Sequence, residues 1–102
     1  MGRDVDLIIE RVKQRVPDAE VWQHRVPNPG ADDDGLWFFT VPGAARTRYR
    51  GSKSIQIESS YGVCPFLVEH DDMTSASEAE TARTVDEAVE KIVDYLGRLR
   101  AG

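Results

Sequence analysis

Hydrophobic and polar residues alternate along this chain with two periods, about 3.6 residues near both ends and two residues between them. From residue 5 to residue 16 an apolar side chain returns every three or four positions, and Pro17 follows. Residues 84–87 (TVDE) have a capping-box pattern, and an apolar stripe with helical spacing continues to about Leu99. The pattern therefore predicts one amphipathic helix near each end of the chain.

The middle of the chain contains segments that are typical of strands. They are Glu20–Val26, Leu36–Val41, Ser54–Ser60 and Val63–His70. The turn residues Tyr61-Gly62 join the last two, and short turns favour antiparallel pairing. Residues 27–35 and 71–83 are rich in turn-forming or small polar residues and are predicted to be loops. A further short strand around Ala45–Arg50 stays an alternative.

These elements predict one α+β domain over residues 1–102, structured from about residue 4 to residue 100. The expected order is α-β-β-β-β-α, with a mostly antiparallel sheet of about four strands and both helices on one face. A length of 102 residues suits a single domain, and 40% hydrophobic with 30% charged residues is a globular composition.

Charge is distributed unevenly along the chain. The formal net charge of −5 argues against a general nucleic-acid binder. The residues between Pro42 and Ile57 nevertheless carry four basic side chains and no acid. A candidate partner- or anion-binding segment consists of Arg46, Arg48, Tyr49, Arg50 and Lys53. Arginines beside an aromatic residue can hold phosphates, stack on bases or anchor a protein interface. The alternative is a solubilising loop that protects a sheet edge from aggregation.

Titratable residues in the strands form a second candidate site. His24, Glu58, Glu69 and His70 are expected at the rim of a pocket between the sheet and the helices. Glu58 and Glu69 lie on strands that a turn makes neighbours, so the two are expected nearly opposite each other. Paired carboxylates can carry out general acid–base catalysis, although like charges are also common on a solvated sheet face.

Other chemistry is not supported by the sequence. Cys64 and His70 are six residues apart, roughly 20 Å along an extended strand at about 3.3 Å per residue, so they are not expected to form a thiol–imidazole pair. A single cysteine instead favours a buried, inert thiol. The two histidines lack the short spacing that is typical of metal ligands. We predict no catalytic residue, no metal and no cofactor. The N-terminal stretch does not resemble a signal peptide, and we expect a cytoplasmic protein.

Three stretches resemble a diffuse group of small bacterial α/β proteins, most of which have no assigned activity and some of which are like immunity proteins. They are LWFFTV at 36–41, IQIESSYG at 55–62 and TVDEAVEKIVDYL at 84–96. The resemblance implies the fold and a preference for binding over catalysis, and no site residue is carried over. The basic segment and the length of the strand Val63–His70 depart from the group.

Three functions follow as hypotheses. The first is a non-enzymatic interaction domain that binds another protein or a second copy of itself as a homodimer. The second is a small-molecule binder or minor enzyme that uses the pocket rim. The third is a nucleic-acid accessory protein that uses the basic segment 46–53. A membrane partner is not expected, because no apolar run approaches the length of a bilayer span.

Overall fold

A computed structural model of the chain describes residues 3–25, 35–46, 51–59 and 62–101, without the side chains of residues 24, 25, 76 and 101. The elements, in chain order, are α1 (Asp4–Arg15), β1 (Glu20–Arg25), β2 (Gly35–Thr40), β3 (Ile55–Ser59), β4 (Phe66–His70), a short 3-10 helix (Ala76–Glu78), β5 (Glu80–Ala82) and α2 (Val85–Ala101). The predicted α+β class, with one helix near each end of a set of strands, is confirmed.

The strands form one antiparallel sheet in the order β1-β2-β3-β4-β5, so each strand pairs with the strand before it in the chain. The sheet has five strands rather than about four. The additional strand is β5, which lies in the stretch 71–83 predicted as loop. It is three residues long and only Ala82 is buried, so it is too short to show a period in the sequence. Of the alternative strand at Ala45–Arg50, residues 47–50 lie outside the described residues, and Arg46 forms an isolated antiparallel bridge with Ser52.

Both helices pack on the same face of the sheet, as the amphipathic patterns predict. Successive strand residues point to opposite faces, so alternate residues of each strand meet the helices. The buried core comprises Val5, Ile8 and Val12 from α1, Ala88, Ile92 and Leu96 from α2, and Trp37, Phe39, Ile55, Ile57, Phe66 and Val68 from the sheet. We call the face covered by the helices the inner face and the opposite one the outer face. Within the described ranges, no helix is long and apolar enough to span a lipid bilayer.

The start of α1 is fastened to the connection between β3 and β4. The Val5 amide donates a hydrogen bond of 2.9 Å to the Gly62 carbonyl oxygen, and the Cys64 amide donates one of 2.8 Å to the Asp4 carboxylate. Gly62 has a φ of +71°, and a Cβ there would lie 2.9 Å from a methyl carbon of Val5. Both the backbone conformation and the close approach of α1 therefore require glycine at this position.

The start of α2 uses the predicted capping residues with one difference. The Thr84 hydroxyl oxygen accepts a hydrogen bond from the Glu87 amide at 3.1 Å, as a capping box requires. The Glu87 carboxylate accepts its bond from the Arg83 amide, at 2.8 Å, one residue before the expected donor. Two amide groups that the helix cannot satisfy internally are thereby paired.

Candidate interaction surface on the outer face

An aromatic pair lies on the outer face, where the described elements place no helix. Trp22 in β1 stands directly opposite Phe38 in β2. The two rings stack with their centroids 5.3 Å apart and their planes 6° from parallel. Phe38 is 9% exposed whereas Trp22 is 44% exposed. Phe38 therefore covers one side of the indole and leaves an aromatic surface available on the other.

A groove of about 730 Å³ lies beside this pair. It is lined by the apolar residues Trp22, Leu36 and Phe38 and by polar residues that include Glu20, Gln56 and Asp71. This volume is within the roughly 300–1,000 Å³ that is typical of ligand sites. The groove is also broad and open to solvent, so it suits an extended segment of another chain.

The polar groups at the end of the groove are held by internal hydrogen bonds. The hydroxyl of Thr40, a buried residue, donates to the Lys53 carbonyl oxygen at 2.7 Å. The Ser54 amide donates to the Asp71 carboxylate at 2.8 Å. These bonds join the end of β2 to the start of β3 and to the end of β4. The floor of the groove is therefore fixed before any partner binds.

Further apolar side chains extend the outer face toward β4. Leu67 is 39% exposed and stands opposite Glu58 on one side and Thr81 on the other. Val63, in the connection before β4, is 43% exposed. Both line a shallower groove of about 510 Å³. Exposed apolar groups are common singly, but several on one sheet face are typical of an interaction site.

The described strand residues on the outer face carry acids and no lysine or arginine. Glu20, Glu58 and Glu69 lie on β1, β3 and β4, and Asp71 follows β4 at the end of the groove. Three strands of this face therefore bear negative charge. Among the residues that the structure describes on its strands, the outer face therefore combines an aromatic surface, exposed apolar side chains and negative charge.

The three predicted rim residues whose side chains the structure describes, Glu58, Glu69 and His70, do not all line one pocket. Glu58 stands opposite Leu67, and Glu69 opposite Gln56, so the two glutamates are diagonal neighbours rather than an opposed pair. The connection between β3 and β4 spans residues 60–65, so its centre lies between Gly62 and Val63 and not at Tyr61-Gly62, which shifts the register of the two strands by two residues. β4 begins at Phe66, three residues after the predicted start of this strand at Val63.

His70 lies on the inner face instead. Its ring stacks on Tyr95 of α2, with the centroids 4.2 Å apart and the planes 17° from parallel. His24 has its backbone opposite Leu36 in β1, and its side chain is outside the described residues. The described members of the predicted rim are thus divided between the two faces of the sheet, although Glu69 and His70 both line a small recess of about 180 Å³ near the end of β4.

Around His70, buried and charged groups form a structural network. The Tyr95 hydroxyl donates to one Asp72 carboxylate oxygen at 3.0 Å, and Lys53 Nζ contacts the other at 2.7 Å. The Asp72 amide donates to His70 Nδ1 at 3.2 Å. Nδ1 therefore acts as the acceptor of a neutral imidazole, which leaves the proton on Nε2. The network joins the end of β4 to α2.

The surroundings of His70, Asp72 and Tyr95 move the pKa of each side chain away from its ordinary value. Burial lowers the pKa of His70, and the nearby positive charge of Arg98 lowers it further. The hydrogen bond from Lys53 holds the pKa of Asp72 below its ordinary value. Burial, followed by the hydrogen bond to Asp72, raises the pKa of Tyr95. Each shift favours the form that the contacts require: neutral histidine, ionised aspartate and neutral tyrosine.

A recess of about 360 Å³ lies beside this network, between the sheet and α2. Residues of both charges line it, namely His70, Glu80, Glu90, Lys91, Asp94 and Arg98. The Lys91 ammonium forms an ion pair with Glu80, and the Arg98 guanidinium lies 5.3 Å from the centre of the Tyr95 ring. Of the predicted rim residues with described side chains, His70 lines this recess between the sheet and a helix.

The predicted basic segment is described at its two ends. Arg46 is exposed, and its backbone pairs with Ser52. Lys53 is half-buried, its amide donates to the Ala45 carbonyl oxygen at 2.7 Å, and its ammonium binds Asp72. Lys53 therefore has a structural role. Arg48, Tyr49 and Arg50 lie outside the described residues, so the partner-binding role of this segment stays a prediction.

Cys64 is half-buried. Burial and the negative charge of Asp4 raise the pKa of its thiol, which disfavours the reactive thiolate. Among the residues that the structure describes, no three His, Cys, Asp or Glu side chains are grouped so that they could hold a metal ion.

Comparison of the chain with protein-family models, with curated proteins and with solved structures gave no match. The stacking of Trp22 on Phe38 was not predicted from the sequence. The available signal was the alternation that gives each residue a face of its strand, but the register between β1 and β2 was unknown.

Proposed function

We propose that this protein is a small interaction domain that binds another protein through the outer face of its sheet. The observation that carries the proposal is the Trp22–Phe38 stack, which holds a 44% exposed indole against a buried ring. Tryptophan is enriched among the residues that contribute most to binding at protein interfaces. A ring already held in place loses little conformational freedom when a partner covers it.

The shape and chemistry of the outer face support binding rather than catalysis. Trp22, Leu36 and Leu67 provide apolar contact area across three strands, and polar residues surround them. Glu58 lies between Leu36 and Leu67, so apolar and polar side chains are interleaved on this face, and a non-obligate protein interface is likewise about as apolar as the rest of a protein surface. The titratable residues with catalytic potential are on opposite faces of the sheet. His70 lies on the inner face, whereas Glu58 and Glu69 lie on the outer face.

Affinity capture with matched variants tests this proposal. The tagged wild-type protein is compared with Trp22→Ala and with Leu7→Ala, which removes another exposed apolar side chain from α1. A partner that is identified by mass spectrometry, purified and titrated by calorimetry should bind the wild type and Leu7→Ala with the same Kd. Trp22→Ala should weaken binding by about 30-fold, the effect of a strong interface residue. Equal affinity of both variants for every confirmed partner would contradict the proposal.

A second candidate function is suggested by the recess beside His70. Its 360 Å³ and its neighbouring positive and negative side chains suit a small ligand that carries both charges. A thermal-shift screen with free amino acids as probes tests it. A probe that raises the Tm of the wild type but not of Arg98→Gln would support a ligand site there. Equal shifts in both proteins would exclude the recess as the site.

A further inference from the structure

The charges beside the exposed indole point to the chemistry of the partner. We propose that the outer face binds a basic segment of a partner protein, with an arginine or lysine side chain laid on the open side of Trp22. This inference rests on the proposed function and names the class of partner. The occupant is a cationic, extended stretch of another protein.

The indole of Trp22 is suited to a cation. Phe38 covers one side of the ring in near-parallel contact, so an incoming group meets the other side. Tryptophan has the most favourable ring among the aromatic side chains for a cation–π contact. A guanidinium group can also stack flat on the indole while its aliphatic stem covers neighbouring apolar surface.

Carboxylates are placed where the charged head of such a side chain would lie. Glu20 is two residues before Trp22 on the same side of β1, about 7 Å along an extended strand. Asp71 lines the same groove. Glu58 and Glu69 continue the negative charge across β3 and β4. A segment that crosses the strands would therefore place successive basic residues near successive acids.

Charge complementarity also argues against two other occupants of this face, namely the outer face of a second copy and a nucleic acid. Two copies that met through their outer faces would bring the acids of one against the acids of the other, and like charges at an interface are unfavourable. A nucleic acid would meet the same repulsion, because its binding depends on neutralising phosphates with basic groups. A basic protein segment instead gains from the negative field during approach as well as in the complex.

Two labelled peptides test whether binding to the outer face requires a positively charged side chain. One is a 12-residue peptide in which arginine alternates with leucine and serine, and in the other citrulline replaces every arginine, which keeps the shape and removes the charge. Fluorescence anisotropy should show binding of the arginine peptide that weakens as salt is raised from 50 to 500 mM. The citrulline peptide should bind about tenfold more weakly, as expected for the loss of charge-assisted contacts. Equal binding of the two peptides would overturn the inference.

Variants locate the site. Trp22→Leu keeps an apolar side chain without the ring and should weaken the arginine peptide about fivefold, whereas Trp22→Phe should restore most of the affinity. The double variant Glu58→Gln/Glu69→Gln should also weaken it. The double variant Glu10→Gln/Asp86→Asn changes the net charge by the same amount at exposed positions on the helices, so it should leave the affinity for the arginine peptide unchanged. Equal effects of the two double variants would show general electrostatic attraction and overturn the inference.

The remaining outcomes separate this inference from the proposed function. If binding of a protein partner depends on Trp22 but is unchanged by Glu58→Gln/Glu69→Gln, the proposed binding surface is correct. The inference that the partner is basic is then wrong. If Trp22→Ala changes neither peptide nor partner binding, both proposals fail. If sedimentation shows a dimer that Glu58→Gln/Glu69→Gln dissociates, and the arginine peptide does not bind, the occupant is a second copy and the inference is overturned.

Discussion

The hydroxyl of Tyr95 donates a hydrogen bond of 3.0 Å to the carboxylate of Asp72, across the boundary between the sheet and α2. Tyr95 is 1% exposed, so its hydroxyl depends on this partner. We expect Tyr95→Phe to lower the free energy of unfolding by about 1 kcal/mol, the usual net value of one hydrogen bond. Urea unfolding of the two proteins measures it. Unchanged stability would mean that the bond makes no net contribution.

The neighbouring His70 should make stability depend on pH. Burial lowers its pKa in the folded protein below the ordinary value of 6.5. As pH falls through 6.5 the unfolded chain binds a proton before the folded chain does, so the folded state loses stability until the folded pKa is reached. Above that window this residue contributes no pH dependence.

We expect urea midpoints to be lower at pH 5.5 than at pH 7.5, with His70→Phe reducing the difference. Phenylalanine keeps a ring to stack on Tyr95 and cannot take up a proton. His24→Gln is the matched control, since His24 and His70 are the two histidines of the chain. A pH difference that depends on His24 rather than on His70 would contradict the assignment.

Gly35 permits the ring of Trp37 to lie over its backbone. A Cβ at residue 35 would lie 1.6 Å from a ring carbon of Trp37, which is buried in the core. We expect Gly35→Ala to destabilise the protein by about 1–3 kcal/mol, because overpacking forces the core to shift. Gly97→Ala in α2 is the control: a Cβ there meets no atom within 4 Å, so it should stabilise by about 0.5–1 kcal/mol. Thermal unfolding of both variants measures the contrast.

The two aromatic residues on either side of the sheet should respond differently to truncation. Phe39 is 0% exposed on the inner face, and Phe39→Ala should cost about 3–5 kcal/mol through the cavity that it leaves. Trp22→Ala should cost about 0.5–1.5 kcal/mol from the lost stack, besides some apolar contact. Circular dichroism melts test this difference. A Trp22→Ala variant that fails to fold would mean that the residue mainly supports the structure.

The sequence was sufficient to predict both helices because each has several turns of apolar periodicity. Val5, Ile8 and Val12 are all buried where that period places them. The inward positions of Ile55 and Ile57, and of Phe66 and Val68, were likewise predictable from alternation within one strand. Local patterns are reliable when the same element repeats them.

Features that depend on two elements were not predictable in the same way. Asp4 is the first residue of α1, and its carboxylate accepts a hydrogen bond from the Cys64 amide, 60 residues away. The diagonal placement of Glu58 and Glu69 depends on the length of the connection between their strands. The Trp22–Phe38 stack depends on a register across a long connection. Such contacts are set by tertiary packing, and the candidate surface consists mainly of them.

The order of the sheet has a consequence for folding kinetics. Since each strand pairs with its neighbour in the chain, the sheet can assemble from successive hairpins with modest loop closures. The packing of α1 against α2 joins the two ends of the domain and has the largest closure cost. We expect this contact to form after the folding transition state. Val12→Ala in α1 should then accelerate unfolding while leaving the folding rate nearly unchanged, so the helix pair would govern how long the native state lasts.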